Sequence, residues 1–579
     1  MRYRRFTVLL FLALSIAFSA TLFAATKRYQ PLQFQVIGIK NAVILKNVTL
    51  ALDNLRNRYP FPITQDHLQH FYSRAPRVIQ QAIQPYGYFR STITSTLTPS
   101  SVAHIAKFTV VLGPPLLITH MHIEIQGAGK YDRKLIALQK KLPLRVGGPL
   151  QTEQYELIKS ELYNLATERG YFDAKMIKSQ IQINLIRYHT NIIIIFNTGN
   201  RYRFGATHFS ESPFHEKFLK RFLQYQEGHY YNAKELEKTK AGLIQSDYFN
   251  QVIIKPETKK AVNNVVPIDV DLITRRAKQY TLGLGYGTDT GVRGTVGVTL
   301  RHIGTQGHRF HTLLRASQNN SSLTAKYIIP GADPARDLFS IAGGLGNMQQ
   351  STGNGRNVKF GFAYSLSRGQ WKNSLSLTYL NERYNFSNTP NISTELVYPR
   401  LDTKYFSADH PRHPTQGISV ETQLSGASKA ILSQTSFFQA TLHLNTLYTI
   451  RKTNTRWLFH TELGHTNIAT LFNLPLSLQL FAGGSHSMRG YGYNSIGPGR
   501  NMVVSGTEIQ QRVIGDWYLA GFIDAGVVGN QNIFQHINAG AGPGVAWITT
   551  IGTLELTVGN AFTQSNHPWT YQFTMGTVL

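Results

Sequence analysis

Cysteine is absent from all 579 residues, which excludes disulfides and thiolate metal sites and leaves packing and strand pairing to stabilise the chain. Acidic residues are scarce, 31 Asp+Glu against 59 Lys+Arg, for a formal charge of +28. After the first 26 residues no stretch supplies the ~18 to 20 continuous apolar residues of a membrane-spanning helix. The mature chain is therefore either soluble or spans as a barrel. Three motifs of catalysis are missing as well: Gly-x-Ser-x-Gly, His-Glu-x-x-His and Gly-x-x-x-x-Gly-Lys-Ser/Thr. His67 and His70 have only Asp66 nearby as a carboxylate. The reading is a protein that is not an enzyme, with no cofactor and no metal.

What is present begins with Met1-Arg2-Tyr3-Arg4-Arg5 and an almost wholly apolar run from Phe6 to Phe18. A charged segment followed by an apolar one of this length is an export signal, assigned to residues 1–25. Residues 27–276 carry 34 Lys+Arg against 18 Asp+Glu. Export argues against nucleic acid as the partner of that charge. An anionic membrane surface or an acidic protein fits better, since cations near anionic headgroups gain ~1 kcal/mol each, and solvated charge that keeps this half soluble stands beside it as an equal reading.

Residues 27–276 mix helix and strand and repeat a phrase. Gly87-Tyr88-Phe89, Gly170-Tyr171-Phe172 and Asp247-Tyr248-Phe249 each follow an amphipathic helix and precede a strand. The Gly or Asp falls where a helix end wants a positive φ, and the aromatic pair is expected to enter the core at the first strand position. A β-rich run closes each unit: Phe108 to Leu112, Ile192 to Phe196 and Val266 to Ile273. The order strand, helix, helix, strand, strand gives three domains, 27–117, 118–200 and 201–276.

From 277 the texture changes to segments of about ten residues that alternate apolar and polar, the pattern of a membrane barrel. In the first, Tyr280, Leu282 and Leu284 face one way and Gly283 and Gly285 the other; in the last, Tyr571, Phe573 and Met575 alternate with Gln572 and Thr574, ending at Leu579. Sixteen such segments fit between 277 and 579 when 469–502 is left as one long loop. An even number suits an antiparallel barrel whose first and last strands meet at a seam.

That long loop contains Gly483-Gly484-Ser485-His486-Ser487-Met488-Arg489-Gly490-Tyr491. A glycine-flanked arginine can ride a close-packed backbone into a confined space, where its charge needs a carboxylate. Alternation puts Asp524, with Phe522 and Gly526, on the lumen face of its strand, and Glu508 on the lumen face of another.

The phrase Met488-Arg489-Gly490-Tyr491 resembles the signature loop of the outer-membrane assembly barrels, the superfamily of BamA, TamA and the two-partner secretion transporters. Met488 stands where that loop usually has a branched aliphatic residue. The resemblance implies that the loop folds back into the barrel and that Arg489 meets Glu508 and the aspartate of Phe522-Ile523-Asp524-Ala525-Gly526. It extends over nearly the whole mature chain: the three domains resemble POTRA repeats, and three of them with a 16-stranded antiparallel transmembrane β-barrel match the TamA branch. It further implies an outer-membrane location with the repeats in the periplasm of a Gram-negative bacterium. The implied partners are an inner-membrane-anchored TamB-like protein at the first repeat, client outer-membrane proteins such as autotransporters, and outer-membrane lipids. Clients would insert or pass through the seam formed by Tyr280, Leu282, Gly283, Leu284 and Gly285 with Tyr571, Phe573, Met575 and Leu579. The alternative is a two-partner secretion transporter of an adhesin-like substrate, which usually has two repeats and a plug helix that residues 20–32 are too short to form.

Overall fold

The computed structural model describes residues 32–59, 64–99, 104–287, 291–350, 352–386, 389–410, 413–549 and 552–576. The expected export signal and Leu579 lie outside the described residues. The chain divides into two compact units. One takes in residues to 205 with 227–233 and 258–266; the other comprises 206–226, 234–257 and everything from 267.

The first repeat runs β1 (Leu32–Ile37), helices Ala42–Arg56 and Gln65–Ile83, β2 (Thr92–Pro99) and β3 (His104–Val111). Asn41 starts the first helix by accepting from the Val43 and Ile44 amides, and Thr64 starts the second by accepting from His67 N. Each cap satisfies amide groups that have no partner within the helix. Ile44, Val48, Leu52 and Leu55 recur at helical spacing and are buried with Phe71, Ile79 and Ile83 over Ala106, Phe108 and Val110 of the central strand. The second repeat follows the same order: β4 (Leu117–Gln126), helices Arg133–Lys140 and Thr152–Glu168, β5 (Lys175–Asn184) and β6 (His189–Asn197). So does the third: β7 (Arg203–Phe209), helices Glu216–Lys220 and Ala233–Gln245, β8 (Phe249–Pro256) and β9 (Val265–Thr274). In each sheet the last strand is central, in the orders β1-β3-β2, β4-β6-β5 and β7-β9-β8.

The repeated phrase does more than fill a core. Gly87, Gly170 and Asp247 have φ of 89°, 83° and 66°. The first two carbonyls accept the amide of the residue just before the next repeat's first strand, Leu116 N to Gly87 O at 2.8 Å and Tyr202 N to Gly170 O at 2.9 Å. Beside the second joint, buried Asp132 accepts from Arg169 Nε, from Lys134 N at 2.9 Å and from Tyr171 OH at 3.0 Å. Burial alone would raise the Asp132 pKa; these donors outweigh it and hold the carboxyl below its ordinary range. Tyr171, buried against that carboxylate, is pushed up to about 12. The aromatic pair opens the strand only in the third repeat, where Phe249 is its first residue; β2 and β5 begin three residues beyond Phe89 and Phe172. There the chain spends those residues in the bend that makes the joint.

The second unit holds one 16-stranded antiparallel sheet. Its strands are β10 (Lys278–Gly287), β11 (Gly291–Ile303), β12 (His308–Ser317), β13 (Asn320–Pro330), β14 (Asp337–Gln350), β15 (Gly353–Arg368), β16 (Trp371–Phe386), β17 (Ile392–Ala408), β18 (Gln416–Ala427), β19 (Phe437–Ile450) and β20 (Thr455–Ile468). Inside the long loop lie the short β21 (Leu480–Ala482) and β22 (Ile496–Gly499), which pair only with each other. The wall resumes with β23 (Asn501–Ile514), β24 (Trp517–Gly529), β25 (Asn538–Thr549), β26 (Gly552–Asn560) and β27 (Trp569–Gly576). Leu375, Leu377, Phe360, Phe362, Leu519 and Ile523 are exposed on the outer face, while Glu382, Thr394, Gln510 and Asp524 are buried on the inner one. Apolar outside and polar inside is what lipid on one face and water on the other require.

The third repeat is tied to the turns of β11–β12 and β13–β14. Asp247 bridges Arg275 at 2.7 Å and Arg301 of β11 at 3.0 Å. Tyr248 OH donates to Gly307 O, and Arg221 donates to Pro330 O at 2.9 Å and to Gly331 O.

Candidate functional site: the inward loop and the seam

The loop 469–502 lies inside the barrel and spans it. Near its start, Leu471 and Leu474 are buried against Leu380, Leu396, Tyr398 and Phe437. Buried Glu382 of β16 accepts the Ser477 amide at 3.0 Å. Toward the other wall, Gly484 N donates to Met488 O at 3.1 Å and Tyr491 O at 3.2 Å, closing a turn that carries Arg489 at its tip.

Arg489 is 6% exposed, and its partners Glu508 and Asp524 are 5% and 0%. Asp524 takes three of its hydrogen bonds: backbone N to Oδ2 at 3.0 Å, Nε to Oδ2 at 2.8 Å and Nη2 to Oδ1 at 2.8 Å. Nη1 meets Glu508 Oε2 and lies 3.6 Å from Glu555 Oε1. The guanidinium plane sits 3.8 Å from the centre of the Phe522 ring. This fork and stack use the planarity of arginine, so lysine would not substitute.

Gln510 donates to Glu508 Oε1 at 2.6 Å and accepts from Arg456 at 2.6 Å, which extends the network along the lumen. Two cations and three carboxyl groups thus share one buried patch. A charge removed from such a group strands the others without a partner.

The wall is shaped to receive the loop backbone. A Cβ on Gly540 would stand 2.1 Å from Arg489 O, and one on Gly559 would stand 2.6 Å from Gly490 N. Tyr491 OH reaches Thr563 Oγ1 at 2.7 Å and Ala539 O at 3.3 Å. Gly526, on the same lumen face as Asp524, lies against Met488: a Cβ there would stand 2.9 Å from Met488 Sδ. Met488 is fully buried with Leu480, Tyr491, Met502 and Val504. Its flexible thioether fills the space a branched aliphatic residue would occupy, and the bare Gly526 leaves room for it.

At the other end of the candidate site, Tyr280, Leu282 and Leu284 of β10 and Tyr571, Phe573 and Met575 of β27 are exposed on the outer face. Gly283 and Gly285 are opposite Thr295 and Arg293 of β11. Cα atoms of β10 and β27 come within 8 Å of each other. Among the described residues no hydrogen-bonded ladder joins them, so β10 and β27 are the two ends of the sheet.

Sequence reasoning singled out Arg489, Glu508, Phe522 and Asp524, and the structure brings these four together. It passed over Glu555, Arg456 and Glu382, and gave Gln510 and Gln572 no part in the site. Each stands opposite outward residues on its own strand, as Glu555 does between Leu554 and Leu556, so alternation held the signal for their facing. Which lumen residues touch the loop depends on where the loop crosses, and no local pattern carries that.

Comparison with known proteins follows this geometry. Residues 274–578 match the model of the Omp85 superfamily domain. Residues 33–112 match the POTRA domain described as TamA domain 1, and 202–272 match the POTRA family described as a surface antigen variable number repeat. Among solved structures, BamA from Haemophilus ducreyi lacking POTRA domains 1–3 is 17% identical with a TM-score of 0.65, over 80% of this chain and 99% of that one. CdiB from Acinetobacter baumannii is 14% identical with a TM-score of 0.47, over 93% and 99%. CdiB from Escherichia coli is 11% identical at 0.48, over 88% and 98%. With POTRA repeats, a 16-stranded outer-membrane barrel and a loop arginine seated on its inner wall, the chain belongs to the Omp85 superfamily of outer-membrane assembly and translocation proteins.

Proposed function

We propose that this protein is a non-enzymatic assembly subunit that inserts client outer-membrane proteins, or passes them, through the seam between β10 and β27. The observation that carries the reading is the unladdered seam. β10 and β27 come close, yet among the described residues each offers one edge with no strand paired to it. An exposed strand edge is a template for another strand, with affinity supplied by main-chain hydrogen bonds. Glycine at 283 and 285 lowers the side-chain packing that would hold β10 closed.

The loop has a different task in this scheme. By fastening β23, β24 and β26 from within, Arg489 keeps the closing wall in register. The domain boundaries 27–117, 118–200 and 201–276 give the periplasmic arm three modules, the first of which would receive a TamB-like protein anchored in the inner membrane. The match of residues 33–112 to a TamA first domain supports that choice over a two-partner secretion transporter.

The test joins Leu282→Cys to Phe573→Cys in this otherwise cysteine-free chain. Oxidation should close the seam and stop client insertion, and reduction should restore it. Full insertion by the crosslinked protein would remove the seam from the mechanism. Retrieval of a large inner-membrane-anchored protein by the exported repeats would support the partner assignment; retrieval of a secreted adhesin would favour the alternative.

A further inference from the structure

We propose that Gln572 is a positioning residue through which the inward loop holds the closing strand, so that unseating the loop and freeing the β27 edge are coupled events. The inference rests on the seam reading above and adds to it a named link between two features that reading treats separately.

Three observations carry it. Gln572 lies on the lumen face of β27, opposite Thr557 of β26, and is 3% exposed. Its Nε2 donates to the carbonyl of Tyr491, the residue two after Arg489, at 3.4 Å. Its Oε1 is buried with no hydrogen-bond partner among the described residues. A buried amide satisfied at one end only is a contact of modest net strength with a cost attached, since the unmet acceptor loses its hydration. Such a link suits a catch that lets go better than a permanent brace. The loop reaches the rest of this wall by stronger means: ionic contacts to β23, β24 and β26, and backbone laid into the space left by Gly540 and Gly559. Among the described residues β27 has no ladder on its far side. Its place is therefore set by β26 and, from inside, by the contact of Gln572 with the loop.

Because the Tyr491 carbonyl that accepts from Gln572 also accepts from Gly484 N at 3.2 Å, the contact depends on the turn that carries Arg489. Withdrawing Arg489 from Asp524 and Glu508 would move that carbonyl. Gln572 would then lose its donor contact without any change in β27 itself.

The experiment uses the full-length protein in liposomes, without client or partner, and reads the rate of disulfide formation between Leu282→Cys and Phe573→Cys. Gln572→Leu, which stays close in volume and removes the donor, is expected to slow crosslinking about fivefold, the size of one net hydrogen bond. Gln572→Glu, which keeps only acceptors, should slow it likewise. In an Arg489→Ala background, neither change should have a further effect, since the loop is already unseated. An unchanged rate for Gln572→Leu overturns the proposal. So does an equal slowing in the Arg489→Ala background, which would mean that Gln572 orders β27 independently of the loop. Heat-modifiable mobility establishes that each barrel is folded, and Gln572→Asn, too short to reach Tyr491, replaces Gln572→Leu if that variant is not. Client insertion is measured separately. Slower crosslinking with normal insertion would remove the proposed function and leave the positioning role standing.

Discussion

The two walls that meet at the seam are braced in different ways. The wall from β23 to β27 is held from inside the barrel by a loop whose arginine is buried with two carboxylates, and whose backbone fits where glycines leave room. The wall from β10 to β14 is held at its turns by the third repeat, through Asp247 with Arg275 and Arg301 and through main-chain contacts at Gly307 and Pro330. The Asp247 side chain is 43% exposed, whereas that of Asp524 is fully buried. Partly exposed pairs contribute roughly 0 to 1 kcal/mol, while breaking a buried pair by removing one partner costs about 3 to 5. The difference teaches that one wall resists rearrangement and the other tolerates it.

Substitution can break this contrast at its strongest point first. Arg489→Ala should leave Asp524 and Glu508 buried without a counter-charge, and is expected to reduce client insertion at least tenfold while the protein still reaches the outer membrane. Membrane fractionation with an insertion assay measures both, and full activity would remove the loop from the mechanism. Gly540→Val comes next. The carbonyl of Arg489 stands where the new side chain would begin, so the loop should lift and insertion fall several-fold, read by protease sensitivity of the loop. Asp247→Ala should have a smaller effect, about 1 kcal/mol or less in the docking of the third repeat, read as faster amide exchange in 246–250.

The smallest effect is a pH dependence in the second repeat. The Asp132 carboxyl is held below its ordinary range, so its contribution to the second repeat is present above the unfolded value near ~3.9 and is lost as pH falls through the folded value. Amide exchange at Gly170 and Tyr171 should accelerate in that acid window, and Asp132→Asn should abolish the acceleration. Tyr171, raised to about 12, has the opposite sign: its contribution is complete below ~10 and fades as pH rises toward 12.

Much of the fold was legible because period-two alternation is a direct imprint of a two-faced wall, and its 16 segments reappear as 16 strands. Arg489, Glu508, Phe522 and Asp524 were legible for two reasons: alternation assigns a face, and a confined cation needs anions. That Met488 passes above Gly526 was not legible, because a shared face does not say which loop residue crosses it. The joints between repeats were harder still. Gly87 and Gly170 announce a positive φ, but that their carbonyls accept an amide 29 and 32 residues away follows from how successive domains pack, which no local pattern encodes.

That no ladder joins β10 and β27 among the described residues also has a meaning for the lipid around them. In hydrocarbon, where no water offers hydrogen bonds, each unmet backbone group costs several kcal/mol. Along the seam the bilayer therefore makes pairing more valuable than water would, and any chain able to lie there as a strand lowers the free energy of membrane and protein together. In the proposed seam mechanism the surrounding lipid, by being a poor solvent for peptide bonds, would supply the affinity, and the barrel the place where it can be used.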